Sequence, residues 1–163
     1  MPSDSETSNE SQNYPLHTRP LAERKFERKA LKLAARLMPC KSIGRGVKEV
    51  SKLIRRGQHG ICLIAADTYP VTVYAHLPVL CERNDVPYCF VRSKRRLADL
   101  LGTGQSDDEK KTGGAGCSVV LILEPTTESE KAGLTEDDRK DYEKLHKKAS
   151  EGLRQVREFH VVK

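Results

Sequence analysis

The side chains best placed for chemistry lie between Ile43 and Arg56, where two glycines precede a run of apolar and basic residues. The apolar positions share one face of a helix, since their spacing is four, three and four residues; they are Ile43, Val47, Val50 and Ile54. The cations fall largely on other faces; they are Arg45, Lys48, Lys52, Arg55 and Arg56. A glycine turn that opens such a helix suits a phosphate-rich ligand, because N–H groups are free at the helix start. Glu49 in the first turn can favour the helix dipole or accept hydrogen bonds from a base.

The positive charge of the chain is concentrated around this segment. The 163 residues have a net charge of +6, yet residues 19–56 alone contain 13 basic and 3 acidic side chains. Clustered cations on two early helices indicate a nucleic-acid footprint. The alternative is a pair of solvated helix faces, which is the common explanation of an isolated basic helix.

The remaining composition argues against several other classes of protein. No apolar run is long enough to span a membrane, and the N-terminus lacks the hydrophobic stretch of a signal peptide. The five cysteines include no CxxC pair, so we expect buried reduced thiols and neither a zinc site nor a disulfide framework. The absence of Trp and the low aromatic content argue against an aromatic platform for stacked bases.

Short apolar runs alternate with helical patterns, which predicts an α/β fold: one three-layer α/β/α sandwich with a small mixed sheet. Strands are predicted at 61–66, 87–91 and 118–123, and helices at 21–38, from Gly46 to about Gly57, at 77–84 and from Ser93 to about Leu101. Residues 1–18 are predicted to be a disordered tail, 19–125 the folded domain with a flexible insert at 103–116, and 126–163 a linker and an amphipathic C-terminal helix. Thr135 and Asp138 resemble a capping box at the start of that helix. Its apolar stripe must pack on the core or on a partner; the stripe is Tyr142, Leu145, Ala149, Leu153 and Val156.

Other candidate sites are weaker. Gly44-Arg45-Gly46 is a poor nucleotide-binding loop, since a helix and Pro39 precede it and further glycines are lacking. His59, His76, Cys62 and Cys81 match no spacing of metal ligands. Asp67 and Glu49 could meet at one rim of the sheet, although acids at strand ends usually cap or stay solvated. We therefore predict no catalytic residue, no metal site, no cofactor and no small-molecule substrate.

A second basic helix start follows a strand, at Ser93-Lys94-Arg95-Arg96. In an α/β layer fold this start lies near the carboxyl end of the strand. If the same rim holds Gly46 to Lys52, two basic helix starts could grip one RNA segment from two sides. Two unrelated solvated helix ends are the alternative.

The chain resembles the ribosomal L7Ae family of RNA-binding proteins between roughly Pro20 and Pro125. The matching stretches are Arg45–Val50, Leu63–Asp67, His76–Glu82 and Val86–Lys94. Within the family the chain is most similar to the branch found in H/ACA ribonucleoproteins, on the evidence of Arg-Gly-Val-Lys-Glu-Val and of Pro20-Leu21-Ala22 before a basic helix. The family fold is the three-layer sandwich predicted above.

The resemblance also implies a set of RNA-binding residues, namely Arg45, Gly46, Val47, Lys48, Glu49, Lys52, Val73 and Lys94. Kink-turn binders of the family have Asn where this chain has Lys48, and an ammonium favours phosphate over base edges. Val73 matches an apolar position near a flipped base. The insert, with Asp107, Asp108 and Glu109, lies where the family closes that pocket.

By resemblance, the expected role is that of a non-catalytic RNA-binding core subunit of the box H/ACA small nucleolar ribonucleoprotein, which guides RNA pseudouridylation and supports rRNA processing. The implied partners are H/ACA guide RNA, a small Nop10-type subunit and a dyskerin-type pseudouridine synthase, in the nucleus and nucleolus. Two alternatives remain open. One is a kink-turn-binding protein of box C/D and spliceosomal particles; the other is a protein-docking module that works through its C-terminal stripe and acidic insert.

Overall fold

Four strands form one mixed sheet in the order β1-β4-β2-β3. They are β1 (Ile43–Arg45), β2 (Gly60–Ala65), β3 (Tyr88–Val91) and β4 (Val119–Leu123). β2 and β3 are parallel, whereas β4 runs antiparallel to both β1 and β2. This computed structural model describes residues 18–100 and 118–161, so the predicted tail before Thr18 and the insert at 103–116 lie outside the described residues.

Six α-helices accompany the sheet in the described ranges. They are α1 (Arg24–Leu37), α2 (Val47–Arg55), α3 (His76–Arg83), α4 (Lys94–Leu100), α5 (Thr127–Lys131) and α6 (Glu136–Val161). A short 3₁₀ helix at Val71–Val73 precedes α3. Among these helices, none combines the length and the apolar composition that crossing a membrane requires.

The predicted three-layer sandwich is confirmed. Every residue of β2 is buried, and alternate side chains of the strand enter two cores on opposite faces of the sheet. Ile61 and Leu63 pack with α1, with Leu97 of α4 and with the first half of α6. Cys62 and Ile64 pack with α2 and α3 on the other face. Strands covered on both faces need continuous apolar sequence, which explains the run that predicted β2.

The start of α1 differs from the prediction of a helix from Leu21. Leu21 pairs with Phe90 as an isolated parallel bridge, and the Ala22 N–H donates to the Phe90 carbonyl at 2.8 Å. The backbone of residues 20–22 thus adds a short strand-like segment to the outer side of β3. The helix begins at Arg24, just beyond the residues whose backbone groups pair with β3.

Ile43 was predicted to share the buried face of α2, and this prediction is wrong. Ile43 opens β1, opposite Ile122 of β4, and packs against the core on the α1 side. β1 contains Gly44 and leads directly into Gly46, so a strand does precede the second glycine, contrary to the prediction from sequence. Three residues are too few to show a period of two, so the apolar Ile43 fitted the helical pattern by chance.

The C-terminal helix packs on the same two cores. Thr135 and Asp138 form the predicted capping box: the Thr135 hydroxyl donates to the Asp138 carboxylate at 2.7 Å, and the Asp138 N–H donates to the hydroxyl at 3.3 Å. Most of the stripe is buried against the body of the protein; the buried members are Tyr142, Leu145, Ala149 and Leu153. Leu153 joins the core on the α2 side, so α6 passes the outer strand β3.

Candidate nucleic-acid interface

One edge of the sheet collects the segments that carry the predicted RNA-binding residues. Ala65 is paired with Val91, Ile64 with Val119, and Arg45 with Val120, so β1, β2 and β3 all end where β4 begins. We call this side of the sheet the loop edge; it is formed by Gly46, Ala66-Asp67, Ser93-Lys94 and Ser118. Two basic helix starts can contact one RNA segment only if they lie at the same edge of the sheet, and the strand order places both at the loop edge.

Gly46 fixes the start of α2 at the loop edge. Its backbone angles are φ 86° and ψ 153°, a conformation open almost only to glycine. The Gly46 N–H donates to the Val119 carbonyl at 2.9 Å, and the Gly46 carbonyl accepts the first helical N–H, from Val50, at 3.0 Å. The N–H groups of Val47, Lys48 and Glu49 precede that first bond and have no partner within the helix. They are placed to receive an anion.

The faces of α2 are divided as predicted from Val47 onward. Val50 and Ile54 are fully buried, while Lys48, Glu49 and Lys52 are exposed. Ser51 is buried as well, and its hydroxyl lies 3.0 Å from Nε2 of His76, which links α2 to α3. His76 is the first residue of α3, so this contact holds the start of α3 against α2.

Asp67 ties the end of β2 to the start of α4. Its carboxylate accepts a hydrogen bond from the Lys94 N–H at 2.9 Å. The acid therefore caps the first N–H of α4, and it orients the turn that carries Lys94. The side chains of Lys94, Arg95 and Arg96 are exposed around this helix start.

A buried ion pair beneath the same turn was not predicted from the sequence. Glu27 of α1 is 1% exposed, and Nη1 of Arg92 donates to its carboxylate at 3.0 Å and to the Ala22 carbonyl at 2.8 Å. Arg96 approaches the other carboxylate oxygen at 3.7 Å. One signal was available: Glu27 stands in helical register with the apolar Leu31 and Ala34, so its carboxylate had to be buried and paired.

The loop after β2 carries an exposed apolar spot, and β2 lies between β1 and β3, the strands that lead to the two basic helix starts. Val73 is 40% exposed in the 3₁₀ helix, and Tyr69 is 77% exposed four residues earlier. Phe26, Tyr74, Tyr88, Phe90 and Tyr142 are buried, which leaves Tyr69 as the exposed aromatic ring among the side chains that the structure describes. Tyr69 was missed from sequence because the overall number of aromatic residues says nothing about where a single ring lies.

Three of the four cysteines in the described part of the chain lie inside the protein. Cys62, Cys81 and Cys89 are buried and free. Burial, with Glu27 nearby, raises the pKa of Cys89 to about 12, and a hydrogen bond to Cys81 together with burial raises the pKa of Cys62. Protonated thiols are poor nucleophiles and poor metal ligands. Within 18–100 and 118–161, no cluster of His, Cys, Asp and Glu could hold a metal ion.

All eight predicted RNA-binding residues thus lie at or beside the loop edge. Arg45 ends β1, and Gly46 to Glu49 form the turn and the first residues of α2. Lys52 follows about 9 Å along the helix axis from Gly46. Val73 follows β2, and Lys94 begins α4 after β3. The geometry groups these residues, and their contacts with RNA stay a prediction.

Comparison with known proteins gives the chain its family. The model of the ribosomal protein L7Ae/L30e/S12e/Gadd45 family matches residues 28–122. An Arabidopsis thaliana protein named H/ACA ribonucleoprotein complex subunit 2-like protein is 38% identical over 131 residues, covering 78% of this chain and 76% of that protein. The H/ACA ribonucleoprotein complex subunit 2 of Bos taurus is 45% identical over 84 residues, 52% of this chain and 55% of the bovine protein. The match with the bovine protein therefore spans just over half of that protein's length.

A solved structure has the same fold. The Giardia lamblia 15.5kD RNA binding protein superimposes with a TM-score of 0.60 at 24% identity, covering 80% of this chain and 98% of that one. The family match, the Arabidopsis relative and the three-layer sandwich agree with the resemblance inferred from sequence, and the chain belongs to the ribosomal protein L7Ae/L30e/S12e/Gadd45 family.

Proposed function

We propose that this protein is a non-catalytic RNA-binding core subunit of a box H/ACA small nucleolar ribonucleoprotein. The observation that carries the proposal is the loop edge, where two cationic helix starts flank an exposed apolar spot. The names of the plant and bovine relatives support the choice of particle. The particle would guide RNA pseudouridylation and support rRNA processing in the nucleus and nucleolus.

The proposed mode of binding follows from the spacing of the strands. β1 and β3 are separated by three strand intervals, about 14 Å, so the starts of α2 and α4 can hold phosphates on the two sides of one RNA segment. Tyr69 and Val73 lie between them and suit the apolar face of an unpaired base. Lys48 adds a point charge at the position where an amide would read a base edge.

The chemistry of pseudouridine formation belongs, in this proposal, to a dyskerin-type synthase, with a small Nop10-type subunit as the docking partner. This chain would hold the guide RNA. The alternative of a module that docks proteins through its C-terminal stripe loses most of that surface, because four of the five stripe residues are buried on the chain's own cores. The acidic insert, the other surface of that alternative, lies outside the described residues. The RNA-binding proposal does not need the stripe to be free.

The first test removes the cations of α2. Replacing Lys48 and Lys52 with Ala should weaken binding to H/ACA guide RNA and reduce the slope of log K against log salt by about two units, for two lost phosphate contacts. Both side chains are exposed, so the fold should persist. Titrations by fluorescence anisotropy at several salt concentrations measure affinity and slope together.

A matched control is Lys140→Ala with Lys144→Ala, which removes the same charge from the exposed face of α6. The control should keep the native slope. A folded Lys48/Lys52 variant with native affinity and slope would refute RNA binding by the start of α2.

A second test addresses kink-turn specificity. The native chain should bind a kink-turn and a plain irregular stem with similar affinity, because Lys48 contributes charge without reading a base edge. Replacing Lys48 with Asn and shortening 103–116 to a brief apolar-tipped loop should favour the kink-turn, since each good base-edge contact restores about 1–3 kcal/mol. Competition binding of both RNAs measures the preference; a strong kink-turn preference in the native chain would support the box C/D alternative instead.

A further inference from the structure

The exposed face of α1 carries a row of cations that the loop edge does not use. Four of them are exposed, namely Lys25, Arg28, Lys29 and Lys32. Their spacings of three, one and three residues place them on one side of the helix. None of these four forms an ion pair with any residue that the structure describes. We call them the α1 cation row; it extends about 10 Å along the helix.

The row begins beside the loop edge. The chain before α1 runs parallel to β3, and the Arg92 guanidinium binds both the Ala22 carbonyl and the Glu27 carboxylate. Arg96 of α4 also approaches Glu27, at 3.7 Å. The first turns of α1 and α4 are therefore neighbours, and the exposed Arg95 and Arg96 connect Lys94 with the cation row.

The row ends where α6 becomes acidic. Arg36, in the last turn of α1, pairs with Asp138 at 2.7 Å and with Asp141 at 2.9 Å. The first turn of α6 also carries Glu136 and Asp137. The positive surface thus begins at the loop edge, beside the first turn of α1, and ends at the acidic first turn of α6, beside the last turn of α1. An RNA bound along it would run from the loop edge towards the C-terminal end of α1.

We infer that the α1 cation row is a second contact surface for RNA phosphates, which holds the stem that leaves the loop edge on the side of β3. The inference rests on the proposed function, since the same RNA molecule must occupy the loop edge. A row of exposed cations joined to an RNA-binding edge complements a polyanion that continues past that edge. The loop-edge residues then select the RNA, and the α1 row adds affinity that depends on stem length.

The experiment compares two RNAs and two variants of the full chain. The probes are a hairpin with an internal loop and a stem of about 8 base pairs, and the same hairpin with a stem of about 20 base pairs. The test variant replaces Lys25, Lys29 and Lys32 with Gln. The control variant replaces Lys140, Lys144 and Lys147 with Gln on the neighbouring α6, with the same loss of charge. Thermal unfolding verifies that both variants are folded.

The native chain should bind the long hairpin more tightly and with a steeper salt slope. The test variant should bind the long hairpin about tenfold or more weakly, with a slope reduced by about two to three units, and should bind the short hairpin as the native chain does. Equal effects of test and control variants on the long hairpin would overturn the inference, as would equal native affinity for both hairpins. If the native chain bound neither hairpin, the proposed function itself would fail.

Discussion

Replacing Arg92 with Met is expected to lower the free energy of unfolding by about 3–5 kcal/mol, the cost of leaving a buried charge without its partner. Glu27 is 1% exposed, and Arg92 supplies its shortest contact, at 3.0 Å. The second cation, Arg96, is 63% exposed at 3.7 Å and cannot replace that contact. Chemical denaturation of the variant and the native chain measures the difference.

Two controls separate the buried pair from general damage. Arg96→Met should cost about 0–1 kcal/mol, as for an exposed ion pair. Adding Glu27→Gln to Arg92→Met removes the stranded charge and should recover part of the lost stability. A single Arg92→Met variant as stable as Arg96→Met would show that the pair does not hold α1 against the turn before α4.

Replacing Gly60 with Ala is expected to cost about 3 kcal/mol or more, since the added carbon overlaps backbone and the sheet must open. Gly60 opens β2 opposite Leu123, and a Cβ there would overlap the carbonyl oxygen of Ile122. No flexible side chain can move away to make room. The shift in the denaturation midpoint, with the circular dichroism of the sheet, measures the loss.

Gly57→Ala is the matched control for Gly60→Ala. Gly57 has φ 83°, yet a Cβ would meet nothing within 4 Å. Its substitution therefore adds only the strain of a left-handed residue, roughly 1 kcal/mol. Equal effects at the two glycines would mean that the contact between β2 and β4 yields more easily than its geometry indicates.

Patterns local in sequence predicted most of the fold. The buried strands β2, β3 and β4, the stop of α1 before Pro39 and the capping box of α6 all follow from neighbouring residues. β1 was missed because three residues cannot show a period. The register of Leu21 beside Phe90 was missed because backbone pairing across 69 positions depends on the whole topology.

The candidate site was predictable only in part. Lys94 follows the parallel strand β3, so the order of the elements places it at the carboxyl edge of the sheet. Lys48 could not be placed there in this way, because the strand before it, β1, was missed; the family resemblance grouped the two residues. The Glu27–Arg92 pair could not be predicted in this way, because the two residues are 65 positions apart and meet only when α1 lies over β3. Burial of Glu27 was foreseeable from its helical register; the identity of its partner was not.

The segment at residues 20–22 has a consequence for how the protein behaves among copies of itself. An outer strand normally exposes a line of backbone donors and acceptors, to which another sheet can attach. Here Phe90 already exchanges such bonds with Pro20 and Ala22, and α6 passes the same strand. At the opposite side, β1 has only three residues, too short a template for a foreign strand. Neither edge of the described sheet therefore offers another copy of the chain a strand of ordinary length that is free to pair.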